Sequence, residues 1–159
     1  MMRDESLEAR LKAVEEECTR LKDIEAIRSL RYKYCRCVNK GEWSALDDCF
    51  AEDSVINFGG GIELKGRKAV GQFYGGHLRN TTAVSVVYTH NPEIEVTGDT
   101  ARGLWEFDNF RIEAADKSAS RTGGRYEEEY VKEDGRWKIK AITTIFHFRQ
   151  PGEATEMKR

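Results

Sequence analysis

The chain has 159 residues, enough to bury most of its unfolded surface around one core without a disulfide or a metal. Lys and Arg number 26 against 28 Asp and Glu, a net charge of -2, so the basic excess of a general nucleic-acid binder is missing. With 39% hydrophobic and 34% charged residues, two prolines and only short apolar runs, the composition excludes disorder, collagen and membrane-spanning helices. The opening MMRDESLEAR is charged throughout and lacks the apolar stretch of a secretory signal, which points to a soluble cytoplasmic protein.

Residues 5–40 read as helix. Leu7, Leu11, Val14, Cys18 and Leu21 alternate at spacings of four and three, a heptad seam with charges at the other positions. Two readings of this lead (residues 1–21) stay open: a surface helix lying on its own domain, or an oligomer contact. The seam then shifts to Ile24, Ile27, Leu30, Tyr34 and Val38, the one-sided stripe of a helix packed on a core. Asp23 is placed to cap this second segment and Gly41 to end it. A short amphipathic helix carries Trp43, Leu46 and Phe50. Two short strands follow around Gly59-Gly60-Gly61, a loop without the GK[ST] ending of a phosphate cradle. Residues 66–79 read as a glycine-softened third helix.

The apolar period then switches to two. Val84, Val86, Tyr88 and His90 share a face, and that face is expected to point inward. Gly98-Asp99 makes a hairpin turn. The next strand sets Trp105, Phe107 and Asn109 against Glu106 and Asp108. Tyr126, Glu128 and Tyr130 alternate with Glu127 and Glu129, and a turn at Glu133-Asp134-Gly135 leads to a last strand. Helices followed by long antiparallel strands predict an α+β fold in which a curved sheet encloses an apolar pocket.

Cys18, Cys35, Cys37 and Cys49 show no CxxC, and the three histidines show no ligand spacing, so neither a disulfide nor a metal is expected. His90 is the best candidate acid or base because imidazole titrates near neutrality. An inward Tyr34 hydroxyl needs a partner or a ligand. Asn39 sits where a helix-capping residue would. Asn109 is a polar group on an apolar wall.

The stretch YKYCRCVNKGEWSALDDCFAEDSVINF, with HNPEIEV, Gly103-Leu104-Trp105 and GRYEEEYVKEDGRWKI behind it, resembles the SnoaL-like domain of the nuclear-transport-factor-two-like superfamily over roughly residues 20–148. Within it the helical lead and KYCRCVNKGEW look most like the bile-acid 7-alpha-dehydratase group. The resemblance implies a cone-shaped curved sheet with three or four helices. It implies a cofactor-free lyase of dehydratase type acting by general acid-base catalysis on a hydrophobic polycyclic or aromatic molecule. Tyr34 and His90 match that group's Tyr and His. Asn39 and Asn109 stand where its two Asp are expected, and Phe146 stands at its Arg. An Asn amide takes no proton, so His90 is assigned as base, Tyr34 as acid or oxygen-holding donor, and Asn39 and Asn109 as orienting groups. Trp43, Phe58, Trp105, Phe107 and Phe146 form the expected apolar wall. The alternatives are an isomerase or cyclase using the same pair, or a non-catalytic binding module. The expected partners are a hydrophobic small molecule and further copies of the chain, as a dimer or trimer, with no nucleic acid and no membrane. Domain bounds are read as a lead at 1–21, the SnoaL-like domain at 22–149 and a flexible tail at 150–159.

Overall fold

The computed structural model describes residues 2–152, with side chains described from residue 6 onward. A single helix, α1 (Met2–Lys40), runs through the lead and the core stripe without interruption. Asp23 therefore caps nothing. Its carboxylate accepts hydrogen bonds from Lys132 Nζ and Trp137 Nε1 at 2.9 and 2.8 Å and ties the middle of α1 to the sheet. Gly41, at φ +70°, ends the helix in the left-handed region that glycine occupies without strain.

The rest follows in chain order. Helix α2 (Trp43–Asp47) leads into β1 (Phe50–Asn57) and β2 (Glu63–Lys65). Helix α3 (Arg67–Gln72) continues through a π-helical segment, Phe73–Leu78, and a last turn, Arg79–Thr81. Four long strands complete the chain: β3 (Thr82–Thr97), β4 (Thr100–Glu113), β5 (Ala119–Glu133) and β6 (Arg136–Gly152). Residues 150–152, read from the sequence as the start of a tail, belong to β6, and the remainder of that tail lies outside the described residues.

The strands form one sheet in the order β2-β1-β6-β5-β4-β3. Neighbours are antiparallel except β1 and β6, which run parallel. The sheet curves without closing, and α1 and α3 lie in its concave side, so the expected α+β cone is what forms. Ile27, Leu46, Phe50, Ile56, Trp105, Ile139 and Ile142 are fully buried between the layers. Burial of such side chains is worth roughly 1.5–3 kcal/mol each. Asp48, just after α2, clamps the layers: its carboxylate lies 2.7 Å from Lys33 on α1 and 2.6 Å from the buried Lys138 on β6. These two cations hold its carboxyl well below the usual carboxylate range.

A break in β3 decides which side chains enter the cone. The β3–β4 register shifts between His90 and Glu93, and Asn91 takes φ +50°. Before this bulge the odd-numbered residues face inward, with Val87 buried. After it the even-numbered Ile94 and Val96 pack on the core. An extra residue inverts the side-chain alternation.

Candidate functional site

The concave face gathers an aromatic cluster. Tyr34 of α1 and Tyr74 of the π-helical segment are both buried, and their hydroxyls share a short hydrogen bond. Their rings meet edge to face at 6.2 Å. Trp43 stacks on Tyr74 at 6.2 Å, and Phe58 lies 5.9 Å from Tyr74 and 5.2 Å from Phe73. From the sheet, Phe107 stacks on Tyr126 at 4.2 Å, and Phe146 meets Phe107 edge to face at 5.9 Å. Trp43, Phe58 and Phe107 belong to this cluster, and Phe146 stands at its half-exposed edge. Trp105 sits deeper, fully buried, with its indole N–H donating to Tyr130 Oη at 2.8 Å.

A polar chain runs beneath these rings. Arg31 is wholly buried on α1, 3.0 Å from the buried Glu128 of β5. Its guanidinium lies 4.2 Å from the Tyr34 ring centre and 4.4 Å from that of Tyr126. Tyr130 donates to the other carboxylate oxygen of Glu128. Arg31 Nε and Nη2 find no acceptor among the described residues. Burial raises the Glu128 carboxyl above the ordinary carboxylate value, against the pull of Arg31 and of the Tyr130 hydroxyl. Burial likewise pushes the Tyr34 phenol well above its usual value, and Tyr74 follows in the same direction for the same reason. The pair is therefore protonated, and a donor, at any ordinary pH.

The expected site residues divide. His90 is exposed and belongs to the convex face, opposite Tyr34, which corrects the inward orientation read from its apolar neighbours. Val84, Val86 and Tyr88 do share its face, but that face is not the buried one: the two valines are half-buried and Tyr88 is 64% exposed. His90 pairs in register with Glu106 and faces Asp108, whose carboxyl is held low first by Arg121 and also by the imidazole. Asn39 spends both ends of its amide on one residue: Nδ2 donates to Val87 O at 3.0 Å, and Oδ1 accepts from Val87 N–H at 2.7 Å. Asn109 faces inward and donates to Val86 O at 3.2 Å and Ser85 Oγ at 3.4 Å. The two amides therefore flank one stretch of β3.

Beside them a cleft of about 340 Å³ opens between α1, the π-helical segment and the start of β3, lined by Asn39, Trp43, Leu78, Arg79 and Ser85 among others. Trp43 forms its wall toward Tyr74. Arg31 and Tyr74 escaped the sequence reading, and Tyr126 and Glu128 entered it only as alternating residues of a strand. The signal for Arg31 was present: it occupies a core position between Ile27 and Tyr34, where a charge needs a buried partner. Among the described residues no group of three His, Cys, Asp or Glu side chains is placed to hold a metal ion. No described helix is long and apolar enough to cross a membrane.

An open, curved sheet with helices on its concave side and an aromatic cluster between them defines the class of fold. The model of the SnoaL-like domain matches residues 19–143, and the chain belongs to that family. Among solved structures it is similar to a type 2 hexachlorocyclohexane dehydrochlorinase, LinA, at 19% identity and a TM-score of 0.82, covering 90% of this chain and 97% of that one. It also resembles a putative scytalone dehydratase from Novosphingobium aromaticivorans, at 17% identity and a TM-score of 0.79, covering 89% and 93%. A protein of unknown function from Mycobacterium tuberculosis matches at 26% identity and a TM-score of 0.70, covering 80% and 73%.

Proposed function

We propose that this protein is a cofactor-free lyase that removes water from a hydrophobic aromatic or polycyclic carbonyl compound. The observation that carries the reading is the buried Tyr34–Tyr74 hydroxyl pair inside an aromatic-walled cone. Similarity in fold to proteins described as a dehydrochlorinase and a putative dehydratase supports elimination chemistry.

One phenol donates to the substrate's carbonyl oxygen while the other donates to the first, so charge developing on that oxygen meets a preorganised pair of donors. Arg31, stacked against the Tyr34 ring, adds a fixed positive charge close by. The elimination balances within the substrate. The carbon–hydrogen bond beside the carbonyl breaks, its electron pair forms the new double bond, and the neighbouring hydroxyl departs with that proton as water. The cleft beside Asn39 is at the small end of the ligand-pocket range of roughly 300–1,000 Å³; Trp43, which lines it, stacks on Tyr74, so a substrate seated there reaches the phenol pair only when that ring moves.

Mass spectrometry of β-hydroxy ketones on aromatic skeletons tests this. The wild type should yield products lighter by one water, and Tyr34→Phe should lose about 10²–10³ in rate. His90→Ala should keep wild-type turnover, and the rate should show no inflection near the ordinary histidine pKa of about 6.5. A rearranged product of unchanged mass would indicate an isomerase or cyclase instead. A second reading, a non-catalytic binder, is favoured by two observations: His90 lies outside the cone, and Asn39 and Asn109 are already bonded to β3. Thermal stabilisation by these compounds with no water lost from any would establish it.

A further inference from the structure

The first half of α1 carries an apolar seam that its own domain does not use. Leu7, Leu11, Val14 and Leu21 are 62%, 57%, 65% and 53% exposed, and Cys18 between them is exposed as well. At 3.6 residues per turn this seam lies roughly 160° around the helix from the core stripe Ile27, Arg31, Tyr34 and Val38. The opposite, polar side of the same segment, Lys12, Glu16, Thr19 and Asp23, faces Val96 and Gly98 at the β3–β4 turn. The lead therefore does not lie apolar side down on its domain. A second helix can cover the seam without meeting the cone.

We propose that this seam is the contact for a second copy of the chain, paired as a parallel, in-register coiled coil. With Leu11 and Cys18 at a and Leu7, Val14 and Leu21 at d, the flanking g and e positions are Arg10 and Glu17, and Glu15 and Lys22. In the parallel arrangement each g residue faces the e residue five positions on in the other helix. Arg10 then faces Glu15 of the second copy, and Glu17 faces Lys22, two pairs of opposite sign. The antiparallel arrangement that matches Leu11 with Val14 sets Arg10 against Glu17, an opposite-sign contact, but also Glu8 against Glu15, a like-charge one, so only the parallel arrangement makes both flanking contacts favourable. Among the described residues Glu17 bonds only to exposed Arg20 on its own helix, at 2.6 Å, and is free to exchange. Two heptads are marginal alone, and here they continue into a helix already fixed by its domain.

Sedimentation of the full chain at several concentrations tests the contact. The wild type is expected to run as a multiple of the chain mass, and Leu11→Lys/Val14→Lys as a smaller species with unchanged helicity and thermal midpoint. These side chains touch nothing in the core, so the substitution is not expected to disturb folding. Oxidised glutathione reads the orientation. Parallel pairing sets the two Cys18 residues opposite each other, within the roughly 4.4–6.8 Å Cα span of a disulfide. Two Cys18 thiols then yield one disulfide as the reagent is reduced to two thiols. A cross-linked dimer on a non-reducing gel, absent in Cys18→Ser, is the expected result. A wild-type monomer, a mass unaffected by the charged seam, or no Cys18 cross-link would overturn the proposal.

Discussion

Arg31 is a full charge on the buried stripe of a helix, and its surroundings explain how it is tolerated. Glu128 stands 3.0 Å away, and aromatic rings cover both sides of the guanidinium. Burial alone would favour the neutral arginine, but the carboxylate opposite holds it charged. Removing one partner of a buried pair strands the other, at a cost of about 3–5 kcal/mol. Glu128→Gln is therefore expected to lower unfolding free energy in urea by that amount. The double variant Arg31→Met/Glu128→Gln should recover most of the loss, because it removes the stranded charge and keeps an acceptor for Tyr130. Equal losses in the single and double variants would mean that the pair does not couple. The same pair shows what a sequence conceals at this scale. Arg31 sits in register with Ile27, Tyr34 and Val38, and Glu128 between Tyr126 and Tyr130, but nothing local says that two such residues, on α1 and β5, meet.

Elements are joined here by a few polar links as much as by packing, and Asn39 is the link between α1 and β3. Its amide reproduces both halves of a backbone pairing with Val87, which an acid cannot do. Asn39→Asp loses the N–H donor and sets a carboxylate against the Val87 carbonyl, so it is expected to cost about 1–3 kcal/mol. Thermal unfolding measures this, and an unchanged midpoint would show that the link contributes nothing. Strand periodicity was legible along β4 and β5, where Trp105, Phe107, Tyr126 and Tyr130 all face the core as their alternation implied. It misled on β3 because alternation fixes which residues share a face but not which face is buried. The deciding feature is the bulge at Asn91-Pro92, which inverts the pattern between Val87 and Ile94. Pro92 marked a break, but the sequence did not show that the alternation changes sides there.

At the scale of the molecule the interior is rich in phenols and thiols kept neutral, while acid pairs bridge the layers nearer the surface. This sets the pH range of stability. Burial raises Tyr34, Tyr74, Tyr126 and Tyr130, and pushes Cys49 up to about 12. In the unfolded chain tyrosine ionises near 10 and cysteine near 8.5. For groups raised in the folded state, stability is intact below the unfolded values and is lost as pH rises through them toward the folded ones. Asp48 and Asp108, lowered by their cations, have the opposite sign: their contribution is present above about 3.9 and is lost as pH falls below it. Glu128, raised by burial, works against them and rounds the acid limb. Denaturation midpoints should therefore hold a plateau between about pH 5 and 8.5 and fall on the alkaline side. Tyr34→Phe/Tyr74→Phe should flatten that alkaline limb, since phenylalanine has no proton to lose. A loss of stability that sets in as pH drops below about 6.5 would instead require a histidine buried in its neutral form, and that would contradict the placement of His90 on the convex face, on which the reassignment of the donor role to the tyrosine pair depends.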